Sequence, residues 1–327
     1  MDINSNAVLL LIMAAVLNGV PLLYGTLGEI LSEKAGNLNL GVEGMMFMGG
    51  VAGLAGAYYY EQAVATPIGW VAILIAIVCA FLCGVLGALI YGFLTITLRA
   101  NQNVTGLALT IFGTGFGNFF GEVMHLSVGS YVAVGDVTKK AFSAGIPVLS
   151  GIPVVGKLLF SYNVLVYLAI ALALVLAWFL GRTRQGLNLI AVGESPATAD
   201  AAGINVTRYK YLATCIGGGI AGLGGMYIVM VTCSGVWVHN CISGYGWLAV
   251  ALVIFATWSP LRAIFCALVF GGLSVLRYYL PLNIPMQIYD ILPYVVTVVV
   301  LVVISMRNKR ENQPPASLGN AYFREER

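Results

Sequence analysis

The chain has 327 residues, of which 60% are apolar and 9% charged, against about 45–50% and about 25% in an ordinary soluble domain. With a mean hydropathy of +0.92 and only 16 basic and 13 acidic residues, it cannot clothe a water-facing surface. That excludes a soluble enzyme and predicts an all-α polytopic membrane protein. The net charge of +3 is scattered, with no block of five or six like charges, so nucleic acid is excluded as a partner.

In chain order, MDINSN lacks the basic region and small-residue cleavage site of a secretory signal, so the uncharged run Ala7–Leu27 is expected to be a retained first span. A bilayer core about 30 Å thick needs about 20 apolar helical residues. About nine runs (eight to ten) meet that need. They are Ala7–Leu27, Gly44–Tyr60, Ile68–Leu98, Asn103–Gly121, Ser161–Gly181, Tyr211–Val231, Gly244–Trp258, Ala263–Leu280 and Gln287–Met306. Ile68–Leu98 is long enough to overshoot a bilayer, so it is expected to tilt or to project beyond it. Placing the carboxyl tail in the cytoplasm puts twelve of the 16 basic residues there and leaves Lys139, Lys140, Lys157 and Arg277 outside, the bias that orientation requires. Residues 1–306 read as a single transmembrane domain with a cytoplasmic loop at 182–210. The polar tail 307–327, with Pro314-Pro315, reads as mobile.

The two ends of the chain share a layout: a span, a polar break, a short span, another span. One copy runs Ala7 to Leu98 with its break at Ser32–Glu43, and the other runs Tyr211 to Leu280 with its break at Cys233–Ser243. In the chosen topology the copies point in opposite directions, the pattern of an inverted repeat whose broken, re-entrant segments line a pathway.

Two motifs mislead. Gly151 to Leu158 is one residue short of a P-loop, but Leu158 replaces the magnesium-binding hydroxyl. Gly217-Gly-Gly219-Ile-Ala-Gly222 matches a dinucleotide fingerprint, yet it lies inside an apolar helix and follows no strand, so its glycines are expected to admit another helix. The six cysteines (Cys79, Cys83, Cys215, Cys233, Cys241, Cys266) form no CxxC pair, and packing is their expected role; Cys233 and Cys241 flank a break and have the spacing to bridge. With two histidines, no metal site is expected.

In Asn103–Gly121, Thr110, Thr114 and Asn118 recur every fourth residue and Glu122 continues the row, beside a second row of Gly113, Gly117 and Gly121. Such a face serves either as the wall of a pathway for a polar, ring-containing solute or as a seam of interhelical hydrogen bonds. Ionisable residues at membrane depth are functional candidates. Glu43, after Asn37 and Asn39, reads chiefly as a group that holds the first break in shape, and Asp290 as a clasp to Arg277. His239 and Asn240 occupy the second break. The pathway candidates are therefore Asn39, Glu43, Thr110, Thr114, Asn118 and Asn240.

Between Arg182 and Lys210 lies a short helix with both ends marked: Ser195 as N-cap, Pro196 in the first position, Ala197, Ala199 and Ala202 within, Gly203 at the left-handed stop. Two turns are unstable alone in water, so a helix this well delimited is expected to dock on a cytoplasmic partner.

These residues resemble the permease subunits of ATP-binding-cassette importers in the branched-chain amino acid, ribose and nucleoside group, over most of the chain. Ser32 to Met46 (SEKAGNLNLGVEGMM) resembles that family's first signature, its ending closest to the nucleoside branch. Arg99–Leu109 resembles the next block, and Ala191–Ala197 through Gly203-Ile-Asn205 is similar to the loop that couples to the ATPase. Ser243–Leu252 with Trp258-Ser-Pro-Leu261 resembles the last signature, from which Tyr245 and the Ala256-Thr257 context depart.

The resemblance implies a nucleoside conduit in a bacterial cytoplasmic membrane, with a simple sugar such as ribose or branched-chain amino acids as the alternative cargo. It implies ATPase subunits, a second permease in a heterodimer or homodimer, and an extracytoplasmic solute-binding lipoprotein. No cofactor would bind this chain; ATP and magnesium would sit on the ATPase. Coupling would fall to Glu194, Ser195, Pro196, Ala197, Ala199, Ala202 and Gly203, and bulky charged residues at Pro196 and Ala199 are expected to uncouple transport without unfolding the protein. An ion-coupled secondary transporter working through Glu43 or Asp290 is the competing reading, but it leaves the capped helix without a purpose. An intramembrane enzyme lacks clustered acid, base or nucleophile.

Overall fold

The computed structural model describes residues 5–129, 131–145, 160–279, 286–306 and 313–324. Among them are twelve α-helices and, as the only extended pairing, an isolated bridge between Ala133 and Val236. The helices are α1 (Ser5–Lys34), α2 (Val42–Ala63), α3 (Gly69–Gly92), α4 (Gln102–Val128), α5 (Asp136–Ser143), α6 (Val164–Arg182), α7 (Arg184–Glu194), α8 (Pro196–Ala201), α9 (Val206–Tyr227), α10 (Tyr245–Phe255), α11 (Pro260–Tyr279) and α12 (Met286–Met306). α3 and α9 each continue into a wider π-helical turn, Phe93–Thr97 and Ile228–Thr232. The Gly151–Leu158 motif and the Arg277 and Asp290 side chains lie outside the described residues.

Five helices are long and apolar enough to cross a membrane: Val8–Lys34, Gly69–Thr97, Gln102–Val128, Val164–Arg182 and Val206–Thr232. Shorter apolar stretches follow in α10, α11 and α12. The protein is thus helical and multi-pass. α10, with 11 residues, rises only about 16 Å and cannot span alone. The first span also ends later than its uncharged run suggests. α1 continues past Leu27 to Lys34, which carries Glu29 and Glu33 into the interior at 1% and 2% exposure. The first break is accordingly shorter than Ser32–Glu43 and comprises Ala35–Gly41.

α9 sits at the centre: 83% of its apolar window is buried, against 33–44% in the other four spans. Its sequence explains this position. Gly217, Gly218, Gly219, Gly222, Gly224 and Gly225 leave its surface without side chains on the faces where α1, α2 and α3 pack, and small residues are what let helix backbones touch in a membrane. A Cβ on Gly217 would lie 2.4 Å from the Gly28 carbonyl oxygen of α1. The apparent dinucleotide fingerprint is therefore a helix-packing seam.

The pairing of elements has a regular plan. α1 packs along α11 and α3 packs along α9, while α1 and α9 pack on each other. Gly28 meets Gly217 and Tyr24 meets Gly224, so α1 and α9 run antiparallel; Gly84 meets Gly218 and Ala80 meets Gly222 between α3 and α9; Gly19 meets Ala267 and Ala15 meets Gly271 between α1 and α11.

A candidate pathway lined by two helix breaks, and the loop 182–210 beside it

The chain leaves α1 at Lys34 and re-enters helix at Val42, and it leaves the end of α9 at Cys233 and re-enters at Tyr245. Gly36, Ser234, Gly235, Asn240 and Gly244 all have positive φ in these two breaks, so the backbone turns sharply and frees polar groups that need partners. Side chains of α1, α3 and α4 supply them in the first break, and α9 bonds a side chain there. The Leu38 N–H donates to Gln102 Oε1 at 2.7 Å and its carbonyl accepts from the Tyr91 hydroxyl at 2.6 Å. The Asn39 N–H donates to Glu29 Oε1 at 2.9 Å, and Asn37 Nδ2 donates to the Thr214 hydroxyl at 2.8 Å.

α4 runs beside both breaks. Thr110 Oγ1 donates to the Leu40 carbonyl at 2.8 Å. One turn later a Cβ on Gly113 would lie 2.4 Å from Gly44 Cα, so the glycine row lets α4 and the start of α2 touch backbone to backbone. Further along, Asn118 Nδ2 donates to Asn240 Oδ1 at 2.7 Å, and the Asn240 N–H donates back to Asn118 Oδ1 at 3.2 Å. Beyond that, Gly121 faces the Trp237 ring. One face of one helix thus holds the first break at Thr110 and the second at Asn118.

Glu43 joins the breaks to each other. Its Oε2 accepts from the Gly244 N–H at 3.0 Å, with the backbone N–H groups of Gly246 and Trp247 close by. It sits in the first turn of α2 and at the N-terminus of α10, so both positive helix ends converge on one carboxylate. It is 6% exposed.

The six pathway candidates therefore divide. Asn39, Glu43 and Thr110 are buried and bond backbone, holding the breaks in shape; Asn39 Oδ1 accepts from its own Gly41 N–H at 2.9 Å. Thr114 and Asn118 are half-buried and Asn240 is exposed, so these three side chains are not sealed into the packing. Glu122 is exposed and continues their row. All six cysteines are free thiols, and no group of three or more His, Cys, Asp or Glu among the described residues is placed to hold a metal.

Replacing Asn118 by leucine removes both bonds that hold Asn240 at its positive φ. Each is worth about 1 kcal/mol in a partly exposed setting. The expected result is a chain that still folds, losing about 1–2 kcal/mol in thermal unfolding, while solute uptake drops about tenfold.

Against the C-terminal end of α1, where the first break begins, lies the loop 182–210. Ser195 Oγ accepts from the Thr198 N–H at 3.4 Å, Pro196 occupies the first position of α8, and Gly203 has φ of 83°. The helix is capped at both ends as its sequence requires. Ala197, Thr198, Ala201 and Ala202 are exposed, whereas Ala199 turns inward at 4% exposure and packs with Val192 and Val206. The expectation that a bulky charge at Ala199 would leave the fold intact is therefore corrected: it would fall inside that cluster. α7, which sequence patterning did not separate from the loop, delivers Gly193 against the end of α1. A Cβ on Gly193 would lie 2.2 Å from the Lys34 carbonyl oxygen, so only glycine allows the loop to rest directly on the start of the first break.

The tail expected to be mobile is folded back where it is described. Ser317 bonds the Gly193 carbonyl through its N–H at 3.1 Å and its hydroxyl at 2.5 Å. The Tyr322 hydroxyl donates to Asp200 Oδ2 at 2.9 Å.

Residues 11–301 match the profile of a family described as the permease component of the branched-chain amino acid transport system. The chain belongs to that permease family. It is 32% identical over 300 residues to the guanosine ABC transporter permease protein NupQ of Bacillus subtilis, covering 89% of this chain and 91% of that one. It is 31% identical over 303 residues to the nucleoside ABC transporter permease protein NupC of Lactococcus lactis, covering 90% and 92%. It is 38% identical over 267 residues to TsgC13 of Haloferax volcanii, a permease protein provisionally named for glucose ABC transport, covering 82% and 76%. The protein is thus a transporter subunit rather than an enzyme, and membership in the family implies ATPase and solute-binding partners.

Proposed function

We propose that this permease forms the membrane pathway for ATP-driven uptake of nucleosides handed over by an extracytoplasmic binding protein in a bacterial cytoplasmic membrane. Two relatives named for guanosine or nucleosides align with about nine-tenths of the chain, and the half-exposed amides of Asn118 and Asn240 suit the hydroxyls and ring nitrogens of such a solute. The relative named for glucose makes a simple sugar the second reading.

The exchanged, antiparallel pairing of α1–α3 with α9–α11 supports an inverted repeat. The two breaks are then its equivalent elements, meeting at Glu43, and about nine crossings accommodate both copies. Residues 1–306 form one permease domain, paired with a second permease chain, in a heterodimer or a homodimer. ATP and magnesium belong to the ATPase partner, and α8 is where that partner pushes.

The observation that carries the coupling role is the backbone contact of Gly193 with Lys34. A displacement of α8 is carried by α7 into the first break within one residue contact, and from there by Thr110 and Glu43 to α4 and the second break. Ala197 and Ala202 offer the accessible face; Ser195, Pro196 and Gly203 fix the shape of the helix; Glu194 and Ala199 seat it.

Uptake of radiolabelled guanosine and adenosine, with glucose, ribose and leucine as comparators, tests the reading in cells with and without an inactivated ATPase. Nucleoside uptake lost with the ATPase supports it; sugar uptake lost instead would move the cargo, and uptake surviving ATPase loss would favour ion coupling. A paired substitution tests α8. Ala197→Glu is expected to leave membrane abundance normal and abolish uptake, whereas Ala199→Glu buries a charge at a cost of several kcal/mol and is expected to lower abundance itself.

A further inference from the structure

We infer that the carboxyl-terminal segment 313–324 is a strap that ties the coupling helix to the first break and to the start of α4, so that the three move as one body. The inference rests on the coupling role proposed above for α8, and it adds an element that neither repeat contains.

The segment is built to be held at a set position. The Leu318 N–H donates to the Pro315 carbonyl at 3.0 Å and the Asn320 N–H to the Ser317 carbonyl at 3.1 Å, while Gly319 takes a positive φ of 80°. These bonds close a compact double turn. Pro315 is buried and Leu318 packs on the main apolar core, so the turn is anchored by burial and not by charge alone.

From that anchor it reaches three places. The first is the junction of α7 and α8, where Ser317 gives two hydrogen bonds to the Gly193 carbonyl and the Ala316 N–H approaches Glu194 Oε2 at 3.4 Å. The second is α8 itself. The Tyr322 ring packs on the Val192, Ala199 and Val206 cluster, its hydroxyl bonds Asp200 Oδ2, and Arg324 Nε pairs with the same oxygen at 3.2 Å. The Arg324 side chain is 74% exposed, so that pair contributes little beside the tyrosine. The third is the entry to α4. The Arg99 guanidinium lies 4.5 Å over the Phe323 ring, and Gln102 Nε2 donates to the Asn320 carbonyl at 3.5 Å while its Oε1 accepts from the Leu38 N–H of the first break.

Gln102 is the joint of this arrangement, bonded to the strap by one end of its amide and to the break by the other. Ser317 is the matching joint on the coupling side: it bonds Gly193, and a Cβ on Gly36 would lie 2.8 Å from its hydroxyl oxygen. The strap therefore runs a second route from α8 to the first break and α4, parallel to the direct Gly193 contact. Two attachments prevent α8 from pivoting about a single point, so a push on it becomes translation of the break.

The test uses the assembled transporter with its ATPase in membrane vesicles, measuring solute moved per ATP hydrolysed. Wild-type vesicles that moved no nucleoside or sugar with ATP would count against the transport reading itself, separately from the strap. Given a working wild type, removal of residues 313–327 is expected to leave assembly and ATP hydrolysis within about twofold, and to lower solute moved per ATP about tenfold. Tyr322→Ala and Ser317→Val are expected to lower the ratio several-fold each, and Tyr322→Phe to restore most of it. An unchanged ratio in the truncated and point variants overturns the strap. Loss of assembly or of hydrolysis in parallel with transport, including in the point variants, equally overturns it by showing a purely structural segment.

Discussion

Gly193→Val is expected to abolish ATP-driven uptake in a chain that still reaches the membrane. Its Cβ would fall 2.2 Å from the Lys34 carbonyl oxygen and 3.2 Å from the Gly36 N, and both atoms are backbone, so no side chain can swing aside. The strain is of the order of 1–3 kcal/mol for an overpacked contact, small against the folding of a membrane domain. It is released most easily by lifting α7 from the first break, which opens the contact through which α8 is proposed to act. Gly193→Ala, with the same Cβ but no branch, is expected to retain a small part of the uptake. Near-normal uptake in the valine variant, at normal abundance, would remove this contact from the route of transmission.

Glu43→Ala carries the second large effect, this time on the fold. The variant strands the Gly244 N–H at a half-buried helix start and takes the carboxylate away from the nearby N–H groups of Gly246 and Trp247; a hydrogen bond to a charged group is worth about 1.5–3 kcal/mol. α2 and α10 also meet here without spare room, since a Cβ on Gly246 would lie 2.3 Å from Glu43 Cα. A loss of about 2–4 kcal/mol in thermal unfolding is therefore expected, with uptake lost in proportion. Glu43→Gln keeps a carbonyl acceptor of the same length and is expected to keep ATP-driven uptake with a smaller loss of stability. A glutamine variant as stable as the wild type but inactive would instead place an ionising step at Glu43, as an ion-coupled carrier requires.

Much of this arrangement was legible in the residues, for identifiable reasons. Hydropathy marks helices because an unpaired backbone is intolerable in lipid, and Ser195, Pro196 and Gly203 mark α8 because helix ends have local rules. The i, i+4 row of Thr110, Thr114 and Asn118 showed that α4 has a polar edge, but not that its two ends serve different breaks, since the partners Leu40 and Asn240 are distant in sequence. An uncharged run ends at Leu27, short of Glu29 and Glu33, although both lie inside α1. Their four-residue spacing was the available signal that α1 continues. Ala199 faces inward unannounced, because six residues of helix carry too little periodicity to tell inside from outside. The folded-back tail left no trace in composition: Pro, Gly, Ser and Asn are common to free tails and to tight turns, and only the contacts of Ser317 and Tyr322 separate the two.

That a single face of α4 holds both breaks has a consequence for how such a transporter diversifies. Asn118, proposed above to meet the solute, is half-buried and also a hinge pin of the second break, and it stands two turns from the residue that pins the first. A mutation that retunes cargo there also perturbs the timing of opening on both sides, so changes of taste and changes of tempo are inherited together. New specificities would then arise more readily on residues such as Thr114, which faces the same edge without pinning a break, and a library randomised at Thr114 should yield more working carriers than one randomised at Asn118.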